Sequence, residues 1–560
     1  MGYILIKKTG KAKRMGRKEE IIELTKELME IPSISDSDSE LLASDFIVKW
    51  FQSLPFFREF PQYAGSYQIP GDYRNRDVAY AYVPGTSKKT LVLMGHFDVV
   101  SVADFGEGQE VAFSADKVIG YLEKCELDED ARADLESGEW MFGRGCGDMK
   151  GGLAAAMIFV KEYTECAKRP GSLLLVAVPD EESYSAGMRG AGGLMKELKE
   201  KYDLDYELLI DPEPNARQGS RHIVPVGSAG KCMPVLLAQG AVSHVSKCFE
   251  GLNPMGIMGE IFNRTELSLE FSDISDGEIT CPPTWLWLKD MKEEYDVSVP
   301  HRVSGYISMI SYESTPEDVL DKLIPICNEA FEAYVEKMKN IYQRYQKLCK
   351  YPSDYQIAWE PKVMTLAELC AYLKEEKGEG YRRFYEDLYT ETAAKIQSGT
   401  LNYPQATIYM MDSLLTFSGI TKPLVLLGFT PPYYPAVRSD HVKGKEKTAD
   451  RCLTAAGKKM EEKYGVSYVK ENYTLGLSDL SYCSIDKEFD YVKYSRNTPL
   501  WGDLYSIDFD VISRIDVPSI LAGPWSKDLH KKTERVHIKS LSEEYPEFLA
   551  AVSEEVWKNS

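Results

Sequence analysis

The sequence predicts an α/β protein, built as a larger, mostly parallel-sheet domain with a smaller α+β lid domain inserted into it. Three observations predict this. From about residue 18 to 225, helical stretches alternate with short apolar strand-like runs, the pattern of a parallel sheet covered by helices. From about 226 to 365 the order changes to strand, helix, two strands and a long helix. Near 423 the run PLVLLGF resumes the sheet pattern. The expected division is therefore 1–225 the first part of the larger domain, 226–365 the lid, 366–422 a helical insertion, and 423–560 the second part of the larger domain.

Taken in chain order, LVLMGH is a short apolar run of the kind that forms a buried strand, and it ends at His96 in GHFD. Side chains two apart on extended chain point the same way, so Asp98 can orient the His96 ring. GRGCGDMKGG then sets Asp148 in a glycine-dense turn before the apolar helical stretch LAAAMIFVKEY. Glycines let the backbone bring that acid close to a ligand. The turn lacks the spacing of a phosphate-binding fingerprint, and an acid at its centre repels phosphate. Next, SLLLVAVP delivers PDEES, where one of two adjacent carboxylates can bind a cation while the other takes a proton. That division makes Glu182 a ligand and Glu181 a general base. YELLID ends in Asp211, with Glu213 two residues later competing for the same role. RIDVPSILAG is a further strand-like run, leading to His530 in GPWSKDLHKKTER.

In the lid, KCMPVLLA, TWLWLK and YISMISY read as strands and SHVSKCFEGLN as a helix. Thr315, Pro316 and Glu317 open a long helix with an N-cap, a proline at N1 and an acidic first turn. TLAELCAYLKEEK and RRFYEDLYTETAAKIQ are helical, and their aromatics at helical spacing suit packing.

The 560-residue length suggests several domains, and 44% hydrophobic with 27% charged residues suits a globular protein with a sizeable core. A net charge of -21 argues against nucleic acid or an anionic membrane as main partner. The basic start KKTGKAKRMGRK is a local exception, read as a solvated tail. No run approaches the roughly 18 apolar residues of a membrane span, and no secretory leader pattern opens the chain, so the expected location is cytoplasmic. The 11 cysteines include no C-x-x-C, which disfavours a disulfide framework or a thiolate metal site. Cys146 is read as a small residue filling the metal loop.

Two imidazoles with three or four carboxylates, presented at the ends of strand-like runs, suit two divalent ions of the zinc class, and hence hydrolysis. With these residues in view, the chain resembles the M20 family of zinc aminopeptidases, carboxypeptidases and deacylases. The likeness is carried by HxD, GRGxxDMKGG, EE, a single acid and a late His followed by Glu-Arg, and RKEEIIELTKELMEIPSIS is similar to the family's opening helix and turn. The resemblance implies a zinc-peptidase catalytic domain with a ferredoxin-like lid. It implies that Asp148 bridges two zinc ions, that His96 and Asp211 complete one and Glu182 and His530 the other, and that Glu181 activates water. Matching the strand without a gap favours Asp211 over Glu213. GAVSHVSKCFEGLNP is similar to the stretch whose His, here His244, steadies the oxyanion, often from the other subunit of a homodimer. The family's lid arginine for a substrate carboxylate is replaced by Ile310 in PHRVSGYISMI. Length and the long insertion after the lid look most like the arginine-utilisation (RocB-like) branch.

The expected activity is hydrolysis of an amide-type C–N bond in a small substrate such as a dipeptide, N-acyl or N-carbamoyl amino acid, within arginine or amino-acid catabolism. A non-catalytic amino-acid- or peptide-binding protein of the same fold is the alternative, opposed by the presence of Glu181 and every ligand. A phosphohydrolase requires basic residues beside the acids, and only Arg144 and Lys150 qualify.

Overall fold

Residues 15–485 and 491–558 are described by the computed structural model, so most of the basic start lies outside the described residues. The central sheet has six strands, in spatial order Ala64–Gln68, Asp77–Val83, Ser172–Val178, Lys89–His96, Asp205–Asp211 and Ser519–Leu521. The last four run parallel, and the first two form an antiparallel edge. Continuous apolar runs are what a sheet buried on both faces demands, and every residue of Ser172–Val178 is buried.

Alternate strand residues serve opposite faces. Leu91, Leu93, Leu173 and Leu175 pack with the helices Arg17–Met29, Lys150–Glu165, Thr448–Tyr464 and Tyr545–Val556. Val92, Met94, Leu174 and Val176 pack with the helix Ala186–Tyr202 on the other side. The carboxyl ends of all four parallel strands therefore open at one edge, where ligands gather in open α/β sheets.

The lid is a second sheet. Its core runs Pro234–Gln239, helix Pro254–Thr265, Thr284–Asp290, Arg302–Ser311, helix Pro316–Gln346 and Leu424–Phe429. The spatial order is Leu424–Phe429, Pro234–Gln239, Arg302–Ser311, Thr284–Asp290, each pair antiparallel, which is the ferredoxin-like β-α-β-β-α-β arrangement.

Two sequence readings change here. PLVLLGF does not return to the catalytic sheet: Leu424–Phe429 is the fourth lid strand, paired through Val235↔Gly428 to Gln239↔Leu424. The helices Leu366–Lys377, Glu379–Gln397 and Tyr403–Ser418 are thus an insertion within the lid topology. In addition, SHVSKCFEGLN forms only a short turn at Val245–Lys247. The helix starts later, at Pro254, because Asn253 caps it and a proline fits its first turn. The long helix begins as expected, with a capping box between Thr315 and Asp318.

Candidate metal centre

His96 is the last residue of its strand, and Asp98 follows on the extended chain. His96 Nδ1 lies 3.0 Å from the Asp98 main-chain oxygen and 3.4 Å from its Oδ1. The Asp98 carboxylate also accepts from the Ser35 hydroxyl at 2.6 Å and from the main-chain N–H groups of Glu181 and Glu182 at 3.1 and 3.2 Å. One buried acid therefore orients the histidine and anchors the two-glutamate segment. The sequence pointed to the first task only.

His96 Nε2 faces Asp148 Oδ1 at 3.1 Å and Glu213 Oε1 at 3.1 Å. His530 Nε2 faces the other Asp148 oxygen, Oδ2, at 3.1 Å and Glu182 Oε2 at 3.1 Å. Asp148 thus offers one oxygen to each imidazole, and two groups result: His96, Asp148, Glu213 and Asp148, Glu182, His530, each with its ligand atoms within 4.8 Å of one another. Glu181 stands apart from both groups, its Oε2 4.0 Å from His96 Nε2. Burial pushes the Glu181 carboxyl well above the usual carboxylate range, with His96 opposing the shift.

Asp211 joins neither group, which corrects the ungapped reading. Its Oδ2 accepts from the Ser478 hydroxyl at 2.7 Å. The reason lies in register. Leu93 pairs with Ile210, so continuing the parallel ladder puts Glu213 level with His96 and leaves Asp211 two residues short. Gly152 helps, since a Cβ there would fall 2.1 Å from the Pro212 carbonyl oxygen. Its bare backbone lets the helix that follows Asp148 start directly against the Pro212–Glu213 segment.

Glu534 was read only as part of the Glu-Arg after the late histidine, yet it organises the loop. Its Oε1 accepts from the main-chain N–H groups of Gly145, Gly147 and Asp148 at 2.8, 3.2 and 3.2 Å. Its Oε2 accepts from Arg144 at 2.6 Å, and Arg144 also donates to the His530 main-chain oxygen at 3.2 Å. The Asp148 and His530 loops are clamped together in this way. His530 itself sits at φ 64, a conformation that costs a non-glycine residue about 1–3 kcal/mol and is found at functional sites.

The basic residues beside the acids are committed elsewhere. Arg144 is held by Glu534 and Asp104, and the Lys150 ammonium donates to the Ile31 main-chain oxygen at 2.6 Å. Burial pushes Lys150 down to about 7 against the pull of Asp98 and Glu534. Neither faces a phosphate subsite. Burial also pushes the Cys146 thiol up, away from the thiolate a ligand or nucleophile requires.

His244 is exposed in the lid, with Nδ1 2.7 Å from the Ser246 hydroxyl. No residue of the metal groups hydrogen-bonds to it among the described residues. Ile310 lies on the lid strand opposite Lys231, and that strand's arginine, Arg302, is tied to Asp412 at 2.5 Å and Gln239.

A family profile described as Peptidase family M20/M25/M40 matches residues 92–551. Protein RocB of Bacillus subtilis (strain 168) is 29% identical over 536 residues, 94% of this chain and 93% of that protein. The uncharacterized protein YqjN of the same organism is 30% identical over 549 residues, 97% of each chain. These whole-length likenesses agree with the RocB-like resemblance. In fold, aminopeptidase PepT from Bacillus cereus ATCC 10987 is similar with a TM-score of 0.53 at 13% identity, over 97% of this chain and 100% of that one. The di-peptidase Dug1p from Saccharomyces cerevisiae is similar with a TM-score of 0.51 at 12% identity, over 97% and 96%.

Proposed function

Because the chain belongs to peptidase family M20/M25/M40, we propose that it is a metal-dependent hydrolase of an amide-type C–N bond in a small substrate. The substrates that suit are a dipeptide, an N-acyl amino acid or an N-carbamoyl amino acid, in amino-acid catabolism. The observation that carries the reading is Asp148, whose two oxygens face two different histidines, each beside a further carboxylate.

The side chains fit a pair of divalent ions. Asp148, Glu182 and Glu213 are crowded carboxylates that repel one another unless cations lie among them, and Glu182 Oε1 is buried without a hydrogen-bond partner. His96, Asp148 and Glu213 would hold one ion, and Asp148, Glu182 and His530 the other. Zinc suits this imidazole and carboxylate set. When bound, such ions polarise a carbonyl and lower the pKa of water.

The chain's own residues supply the remaining chemistry. Asp98 fixes the His96 ring and the Glu181 backbone. Glu181, beside but outside both ligand groups, accepts a proton from the attacking water and delivers it to the leaving nitrogen. His244 steadies the oxyanion from the lid of a second subunit in a homodimer.

Metal analysis of the purified protein should find two divalent ions per chain, and an amine-release screen over dipeptide, N-acyl and N-carbamoyl compounds should find turnover. Glu181→Gln should keep the metals and the fold while turnover falls about 100 to 10,000-fold. Activity within a few-fold of the parent in that variant would remove the general-base role. A protein that binds substrates without turning over any would favour the binding-protein reading.

A further inference from the structure

A cavity of about 580 Å³ lies between the helix Ala186–Tyr202, the loop Ile69–Arg76, the insertion helix Glu379–Gln397 and the segment Asp503–Val511. None of the six metal-group and general-base residues lines it, although Asp180, just before Glu181, does. Its volume is that of a small-molecule site.

The two arginines in its wall differ. Arg76 is fully paired, to Asp72 at 2.7 Å, Asp180 at 2.6 Å and Glu40 at 3.3 Å. Arg189 is not. Its Nε donates to the Tyr184 main-chain oxygen at 3.1 Å and its Nη1 to that of Ser506 at 2.8 Å, and its guanidinium lies over the Tyr505 ring at 4.4 Å. Among the described residues no carboxylate lies within 4.0 Å of Arg189, and its Nη2 makes no hydrogen bond. Carbonyl oxygens and a ring hold the guanidinium in place without neutralising it. A partly buried cation with a free donor edge calls for an anion of matching planar shape, and a carboxylate is that anion.

The rest of the wall has the opposite character. Tyr67, Tyr73, Tyr389 and Tyr403 line it, and Asp503 at the rim has no cationic partner among the described residues. Aromatic faces and an unpaired carboxylate attract an ammonium or guanidinium group. A ligand that answers both ends carries a carboxylate and a cation on one small frame.

We propose that this cavity is a binding site for a free amino acid, its carboxylate on Arg189 and its cationic group toward Asp503 and the tyrosine rings. The site is separate from the metal centre and does not depend on the hydrolase reading.

Calorimetric titration of the full chain with each standard free amino acid, before and after metal removal by EDTA, tests the proposal. At least one amino acid should bind saturably at one site per chain in both states, and its decarboxylated amine should not. Arg189→Met should weaken that binding at least about tenfold. Ala393→Trp, which adds bulk to the cavity wall from the insertion helix and leaves the Arg189 side chain unchanged, should do the same. Circular dichroism checks that each variant folds, and if Arg189→Met does not, Ala393→Trp decides. Absence of binding by every amino acid, equal binding in the folded variants, equal binding of the amine, or binding lost with the metal would each overturn it.

Discussion

Glu213 and Asp211 show what a two-residue difference does at the end of a strand. Both are acids on the same run, but Asp211 remains inside the ladder beside Ser519–Leu521, where Ser478 donates to its Oδ2 and its buried Oδ1 has no hydrogen-bond partner, and Glu213 stands clear of the sheet level with His96. Glu213→Ala should therefore remove one bound metal per chain, while Asp211→Asn should leave both, as counted by metal analysis after dialysis. Equal loss in the two variants would dissolve the distinction. Glu534 invites a second test. Glutamine in its place retains one acceptor but turns an amide N–H₂ toward Arg144 or toward three main-chain donors, leaving buried groups unpaired. Breaking a buried pair in this way costs about 3–5 kcal/mol. Glu534→Gln should lower the denaturation midpoint and also weaken metal retention, since Asp148 and His530 are positioned through it. Residue types and their order were legible here. The partners of Asp98 and Glu534 were not, because both bind main-chain N–H groups, which carry no residue signature.

At the scale of elements, periodicity identified the strand-like runs that end at His96, Val178 and Asp211 and the helix after Asp148, and the cap at Thr315 marked a helix start. It did not identify strand partners. Leu424–Phe429 reads as a buried strand in any sheet, and only its pairing with Pro234–Gln239 places it in the lid. The insertion between the long helix and this strand is tolerated because loop-closure entropy grows slowly with length. If the strand is central to the lid, Leu426→Ala, at a fully buried position, should destabilise the protein by about 2–5 kcal/mol in chemical denaturation. A loss well under 1 kcal/mol would mean that the pairing contributes little. The turn at Val245–Lys247 teaches the same limit from the other side. Its residues tolerate a helix, but the stronger cap at Asn253 and Pro254 sets the start downstream.

At the scale of the whole molecule, His244 and the metal centre lie on different layers, and nothing within one chain joins them by a hydrogen bond among the described residues. No helix of the described residues is long and apolar enough to cross a membrane. If a second copy supplies His244, mixing inactive His244→Ala chains with inactive Glu181→Gln chains should restore activity, since a hybrid dimer contains one site with both groups intact. Subunit exchange, shown separately with labelled chains, makes the result decisive. Demonstrated exchange with no return of activity would rule out the shared site. Loss of such an oxyanion donor costs roughly 100 to 1,000-fold, so His244→Ala alone should impair turnover far more than metal content.

By itself the sequence determined the α/β class and the histidine and carboxylate residues that gather at the candidate site. These follow from local periodicity, from glycine where the backbone must turn, and from acids and histidines at strand ends. Only the tertiary structure decided which acid meets His96, which sheet Leu424–Phe429 joins, and which of the two cavity arginines lacks a carboxylate partner among the described residues. Each of those depends on register or on neighbours hundreds of residues away, and the energies that select them come from contacts across the fold.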